Sequence, residues 1–224
     1  MNAYLPLLAA VSVFVGGHFL FSADPLRPFL VKTLGEKGFL AAYSLVALAG
    51  LVATVVCFRG VVGQPLWNLG GLGRHAAMAL MPFAVMLVVL GVSSPNPAAQ
   101  GNERLLEEAW QPSGIVTITR HPFLWGTGLW SICHLLANGN GAALILFGGM
   151  GILSFGGMFA IDGKRWRQYG QRWIRYAQGT SVLPFAGATP VDWRGIGWAK
   201  PMLALVVYAC IVALHGWAFN RPLM

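Results

Sequence analysis

At 224 residues, with 56% hydrophobic and only 10% charged residues, the chain has too few polar groups to cover a soluble globule of its size. Its formal charge of +8 would suggest nucleic acid in a soluble protein. Here the basic residues are spread among loops between apolar runs, so no nucleic acid partner is expected. Cys57, Cys133 and Cys210 all fall inside apolar segments far apart in sequence, which excludes a disulfide framework or zinc spacing and leaves three small buried hydrophobes.

The partner these numbers imply is the lipid bilayer. An apolar run of roughly 20 residues, at about 1.5 Å rise per residue, crosses about 30 Å of hydrocarbon. Six such runs make the fold class all-α, an integral membrane helical bundle of about six transmembrane helices in a single domain, 1–224. Helix one is expected over Ala3 to Phe21, with Gly16-Gly17-His18 near its far end and Asp24-Pro25 stopping it; without a basic leading region or a small-residue cleavage site it reads as retained. A loop with Arg27, Lys32 and Lys37 leads to helix two, Phe39 to Phe58, closed by Arg59. A Gly/Pro-rich connection through Gln64-Pro65 and Gly70-Gly71 reaches Arg74-His75 and helix three, Ala76 to Val92, with Pro82 as an expected kink.

Ser93 to Thr119 is polar, with Pro95, Asn96 and Pro97 followed by Glu103, Glu107 and Glu108, and part of it suits a short surface helix. Helix four, Pro122 to Leu136, is short. Ala137-Asn138-Gly139-Asn140 then turns tightly into helix five, Gly141 to Ile161, so these two helices are antiparallel neighbours. Gly149, Gly156 and Gly163 recur every seven residues and allow close helix approach. The segment 162–200 is the most basic part of the chain, and Trp166, Tyr169 and Trp173 at i, i+3, i+7 predict one face of an amphipathic interfacial helix. Helix six covers Pro201 to Phe219 and contains His215.

With six spans, twelve basic residues fall on one side and three, Arg59, Arg74 and Arg221, on the other. The positive-inside rule then places both termini in the periplasm and the loop at Arg120 on the cytoplasmic face of a bacterial inner membrane.

That loop carries Thr117-Ile118-Thr119-Arg120-His121-Pro122-Phe123-Leu124-Trp125-Gly126. Proline needs no N–H at the first helical position, so Pro122 begins a helix and His121 becomes its N-cap. Arg120 and His121 beside a helix N-terminus suit a carboxylate or phosphate; the plainer reading is a membrane-boundary arginine and a capping histidine.

Five histidines are many for so uncharged a membrane chain, since ionisable groups at membrane depth are expensive. By depth, His18 and His121 fall toward the cytoplasmic ends of their helices, and His75, His134 and His215 toward the outer ends. His121 and His134 are 13 residues apart, roughly 20 Å and on nearly opposite faces of a straight helix, so they cannot share one iron. Two histidines from different helices at similar depth suit axial ligation of haem b, as His18 with His121 or as a pair from His75, His134 and His215. Arg120 is then placed to receive a propionate. For any single histidine the plain alternative is a hydrogen bond to a neighbouring helix.

Gly35-Glu36, Tyr43-Ser44-Leu45-Val46, Arg120-His121-Pro122-Phe123-Leu124-Trp125-Gly126 and especially Leu129-Trp130-Ser131-Ile132-Cys133-His134-Leu135-Leu136-Ala137-Asn138-Gly139 resemble the NnrU family, integral membrane proteins associated with nitrite and nitric oxide respiration in denitrifying bacteria. The likeness runs from His18 to about Asp162. The same domain occurs in 15-cis-zeta-carotene isomerases, whose likeness implies haem b held by His18 and a helix-four histidine, His134 or His121, as iron ligands. The resemblance implies a redox or accessory role around nitrite and nitric oxide metabolism, beside other membrane redox proteins. Its close alternative is a haem-dependent cis–trans isomerase acting on a polyene.

The segment Arg120 to Gly126 also resembles the Arg-His-Pro-x-Tyr-x-Gly signature of membrane isoprenylcysteine carboxyl methyltransferases, and Tyr169-Gly170-Gln171-Arg172-Trp173 through Leu183-Pro184 is similar to their following segment. In that family these parts cradle S-adenosylmethionine. Here Leu124 and Trp125 stand at the x-Tyr positions, and Asp162 is the only acid near the place of the usual paired glutamates.

Overall fold

A computed structural model of the protein describes residues 3–107 and 110–219. Glu108 and Arg221, named above among the loop charges, lie outside the described residues. Eight α-helices are formed among those residues: α1 (Leu5–Ser22), α2 (Leu26–Arg59), α3 (Gly70–Ser93), α4 (Pro122–Ala137), α5 (Gly141–Tyr169), α6 (Gln171–Gly179), α7 (Trp193–Ile196) and α8 (Ala199–Phe219). Two short 3-10 helices, Glu103–Leu106 and Gly114–Thr117, interrupt the polar stretch before α4.

This is a helical membrane bundle. Five helices, α1, α2, α3, α5 and α8, are long and apolar enough to cross a bilayer. Their outward faces carry exposed Leu45, Val56, Ile152, Phe159 and Leu203, surface that water would penalise and lipid accepts. The remaining long element, α4, has 16 residues and spans about 24 Å, shorter than the hydrocarbon it is packed within.

Helix α2 is longer than expected. It includes the stretch with Arg27, Lys32 and Lys37, where the sequence predicts a loop, and it is interrupted at Gly35, whose φ of 71° and ψ of 162° break the helical path. Glycine carries no Cβ penalty there, so the charged first third can change direction before the apolar part begins. Helix α3 begins at Gly70 rather than Ala76 and continues through Pro82 as one element.

Small residues set the helix packing. A Cβ at Gly126 of α4 would lie 2.7 Å from the Ala84 carbonyl oxygen of α3, and one at Gly91 would lie 2.5 Å from the Phe123 nitrogen. At the opposite end Gly73 lies directly against the Leu136 carbonyl. The α3–α4 pair is therefore antiparallel and in backbone contact along its length, as small residues permit in membranes. Gly149 sits against Val11, and a Cβ at Gly156 would be 3.1 Å from Phe19. These contacts run α1 parallel to α5, whereas Gly163, the third glycine of the heptad, meets only Arg167 of its own helix.

The expected amphipathic helix across Trp166, Tyr169 and Trp173 is not continuous. Gly170, at φ 50° and ψ −120°, ends α5 and starts α6, so the aromatic residues fall on two helices. Trp173 is 3% exposed and Tyr176 is buried, both against Ala98 and Leu106, while Trp166 is 57% exposed. A face that periodicity assigned to the membrane surface belongs largely to the core.

Candidate functional site

The site is assembled where α4 begins. Pro122 occupies the first turn of α4 and His121 is its N-cap residue, as the sequence requires, although the His121 side chain makes no capping bond. Its ring turns instead to α5, where Nε2 lies 2.6 Å from Oδ1 of Asp162. Arg120 donates to the other oxygen of the same carboxylate, from Nε at 2.9 Å and Nη2 at 2.6 Å. The anion that this corner favours is supplied by the protein itself: a lone acid in an apolar helix joined to the two neighbouring residues that lead into α4. His121 is 3% exposed, which fits a residue held in position rather than one open to solvent.

A strap after α6 closes the corner from above. The Arg120 N–H donates to the Ser181 carbonyl at 2.9 Å, Thr119 Oγ1 and Trp125 Nε1 donate to the Val182 carbonyl at 2.8 and 2.7 Å, and the Phe185 N–H donates to Ile118 at 2.8 Å. Asn96 ties in the preceding loop. Its amide donates to the Arg120 carbonyl at 2.9 Å, while its oxygen accepts from the Ala98 N–H at 2.8 Å and from Tyr176 at 3.1 Å. Burial pushes the Tyr176 hydroxyl far above its ordinary value, so it stays a neutral donor at all physiological pH.

Beside this cluster a cleft of about 460 Å³ opens between the end of α5 and α6, with Arg120 and Asp162 at its floor and Trp166 and Trp173 along its sides.

The other histidines sit apart. His18, on α1, places Nδ1 2.7 Å from the Phe14 carbonyl and packs edge-on against Tyr43 of α2. His134, on α4, places Nδ1 2.9 Å from the Trp130 carbonyl and stacks on Phe147 of α5, with ring centroids 4.4 Å apart. Each Nδ1 faces a carbonyl, which can only accept, so Nδ1 carries the proton in both rings and Nε2 presents a lone pair. That tautomer, fixed by a backbone carbonyl, is the one an imidazole needs to ligate a metal through Nε2.

Register compares their levels. Val11 and Phe19 of α1 meet Gly149 and Gly156 of α5, and a Cβ at Gly128 of α4 would lie 2.6 Å from the Phe155 ring of α5. His18 therefore stands near the level of Phe155 and His134 at that of Phe147, a separation of about 12 Å along the bundle. The rings are not in contact. Because α1 and α4 are antiparallel and each ring leans toward its own helix N-terminus, both lean into the interval between these levels. Thr54 of α2, one turn beyond the Gly50 that meets Phe14, is 1% exposed, and its hydroxyl has no hydrogen-bond partner among the described residues.

Among the described residues no three His, Cys, Asp or Glu side chains are grouped to hold a metal ion. A two-histidine donor set is consistent with haem, whose porphyrin supplies the in-plane nitrogens, and the Nε2 donors of His18 and His134 fit that chemistry. His121 commits Nε2 to Asp162 instead. His215 of α8 lies near His134, and His75 is near the start of α3, at the same end of the bundle.

Asp162 is the residue whose role the sequence signalled without disclosing: a single acid following an apolar run marks an internal partner, but not which one. Asn96, Tyr176 and Thr54 gave no comparable signal.

Comparisons with known proteins agree with this architecture. The family model described as NnrU protein matches residues 6–222. The chain is similar to the 15-cis-zeta-carotene isomerase, chloroplastic, of Arabidopsis thaliana, with 27% identity over 208 residues, covering 89% of this chain and 55% of that protein. It is similar to the protein of the same name from Zea mays, with 28% identity over 211 residues and the same shares. The chain thus spans about half the length of the curated relatives it matches. No solved structure matches. With a family match across nearly the whole chain and a helical membrane bundle to carry it, this chain belongs to the NnrU protein family.

Proposed function

We propose that the protein is a haem b-binding cis–trans isomerase of an apolar polyene, held in a bacterial inner membrane with both termini in the periplasm. The observation that carries this reading is the shared state of His18 and His134. Each ring is fixed through Nδ1 by a carbonyl one turn earlier, which leaves Nε2 as the donor nitrogen of each, on two helices that both pack against α5. The two isomerase relatives, aligned over 89% of this chain, support the reaction class.

The residues that would hold the group are His18 on α1 and His134 on α4; His121 is disfavoured because Nε2 is committed to Asp162. When bound, haem b supplies a one-electron redox centre whose potential depends on its axial ligands and burial. The chain's own contribution is binding and exclusion of water. Phe147 and Tyr43 hold the two imidazoles by ring packing, the apolar helix faces admit a substrate from lipid, and Thr54 offers a hydroxyl near the level of His134.

A second reading follows from the family alone: a redox or accessory role in nitrite and nitric oxide metabolism, beside other membrane redox proteins. Methyl transfer from S-adenosylmethionine gains no such support, since the side chains of Arg120 and His121 are both paired with Asp162.

The deciding experiment is a reduced-minus-oxidised visible spectrum with pyridine haemochrome quantification on protein purified in mild detergent, followed by incubation of reduced protein with a cis-polyene. Near-stoichiometric b haem with redox-dependent isomerisation supports the first reading. Haem without isomerisation moves the assignment to the second, and absence of haem after supplementation during expression rejects both.

A further inference from the structure

The cleft beside Arg120 and Asp162 is not used by the histidines assigned above, and its chemistry is specific. Arg120 is only partly exposed at the cleft floor, with 13% of its side chain accessible, and Asp162 with 17%. A guanidinium has five N–H donors. Two of them go to Asp162 and one to the Thr180 carbonyl at 3.3 Å, which leaves two to meet a ligand's acceptor oxygen. The charge of Arg120 is nevertheless matched by Asp162, so the floor is dipolar and close to neutral. A phosphate head would have to compete with a carboxylate already bonded at 2.6 Å.

The walls select shape. Trp166 offers an exposed indole, the buried Trp173 only backs the wall, and Gln178 adds an amide at the rim. Phe159, Gly163 and Trp166 follow one another at i, i+4 and i+7 on α5, and both Phe159 and Trp166 are exposed. The mouth of the cleft thus opens on the lipid-facing stripe of α5, which continues to exposed Ile152. An occupant with its head at Arg120 has a path for an apolar tail along that stripe.

We propose that this cleft seats the head of a membrane-borne quinone: a flat, neutral ring with carbonyl oxygens, carried on a hydrophobic tail. A carbonyl oxygen accepts from the two remaining N–H groups of Arg120, a charge-assisted bond that needs no net charge on the ligand. The ring packs on the Trp166 indole, and the tail leaves past Phe159 into the bilayer. The cleft, about 460 Å³, is shallow and open along one side, which suits a flat ring laid against Trp166 rather than an enclosed ligand.

The test uses the full chain in phosphatidylcholine nanodiscs, a photoreactive azido-quinone with a decyl tail, and peptide mapping by mass spectrometry. Saturable labelling within residues 159–178, displaced by excess decylubiquinone, is expected. Two variants probe the cleft without touching packed core. At Gly163 a Cβ would meet only the tip of Arg167 at 3.4 Å, so Gly163→Phe fills the cleft and keeps the helix. Trp166→Ala removes an exposed wall. Each is expected to keep the parental melting temperature and to weaken labelling by about tenfold, the loss of one well-packed aromatic contact. Should one variant misfold, the other decides. Non-saturable labelling, labelling mapped elsewhere, or labelling unchanged in the folded variants overturns the proposal. So does displacement by phosphatidylglycerol or diacylglycerol in preference to decylubiquinone, which assigns the cleft to a lipid head.

Discussion

Oδ1 of Asp162 lies 2.6 Å from Nε2 of His121, joining the C-terminal part of the long α5 to the N-cap of the short α4 across 41 residues of chain. Through the second oxygen the same carboxylate holds Arg120. A single acid therefore locks the start of α4, and with it the level at which His134 stands further along that helix.

Removing the acid should destabilise the fold without abolishing haem binding. Asp162→Ala leaves Arg120 and His121 without their carboxylate and is expected to cost about 1–3 kcal/mol, the penalty of stranding partly buried polar groups. The check is the thermal midpoint by size-exclusion chromatography after heating in detergent. A retained Soret band in the folded fraction would agree with ligation by other histidines; its complete loss would point back to His121.

His18→Ala and His134→Ala should each lose or shift the Soret absorption of the purified protein, whereas His75→Ala should leave it unchanged. An unaltered spectrum in either of the first two variants rejects that histidine as a ligand. The comparison is informative because both rings are held by the same Nδ1-to-carbonyl contact, so neither is expected to be more damaging to the fold.

The turn between α5 and α6 depends on glycine. With φ at 50° and ψ at −120°, Gly170 occupies backbone space that other residues enter at a cost of about 1–3 kcal/mol. Gly170→Val should loosen the docking of α6 and raise trypsin cleavage at Arg172 and Arg175 several-fold, read as the rate of loss of intact chain. Equal cleavage rates would show that the turn tolerates a side chain.

Two tryptophans seven residues apart should behave differently. Trp173→Ala empties a packed position between Ala98, Leu106 and Tyr176 and should cost about 3–5 kcal/mol. Trp166→Ala, at an exposed position, should shift the thermal midpoint little. Similar midpoints for both would contradict the break at Gly170.

Acid sensitivity should appear at the loop before α4. Burial alone would raise the Glu103 carboxyl, but backbone N–H groups and the Arg165 guanidinium outweigh it and hold Glu103 below the ordinary carboxylate range. The sign follows directly: a carboxylate with a lowered folded value adds stability above its unfolded value, and that stability is lost as pH falls through the ordinary range toward the lower folded one. Glu103→Gln should therefore melt lower than the parent at neutral pH and converge with it in acid. A constant difference across the titration would remove Glu103 as the cause.

Composition and apolar run length determined the all-helical membrane character. Pro122 fixed where α4 begins, because proline at a first helical position costs no hydrogen bond, and Ala137-Asn138-Gly139-Asn140 fixed the tight turn, where the Asn140 side chain accepts from the Ala143 N–H at 2.9 Å. These features are local, and local chemistry decides them. The tertiary structure decided which partners distant residues would find. Spacing could place Trp166, Tyr169 and Trp173 on one face only if the helix continued, and one glycine conformation sends Trp173 inward. Arg120 and His121 announced a site for an anion, but a sequence does not say whether that anion comes from a ligand or from the protein. Packing α4 against α5 brought Asp162 there, and a paired carboxylate at that position leaves neutral, dipolar chemistry for whatever else the corner binds.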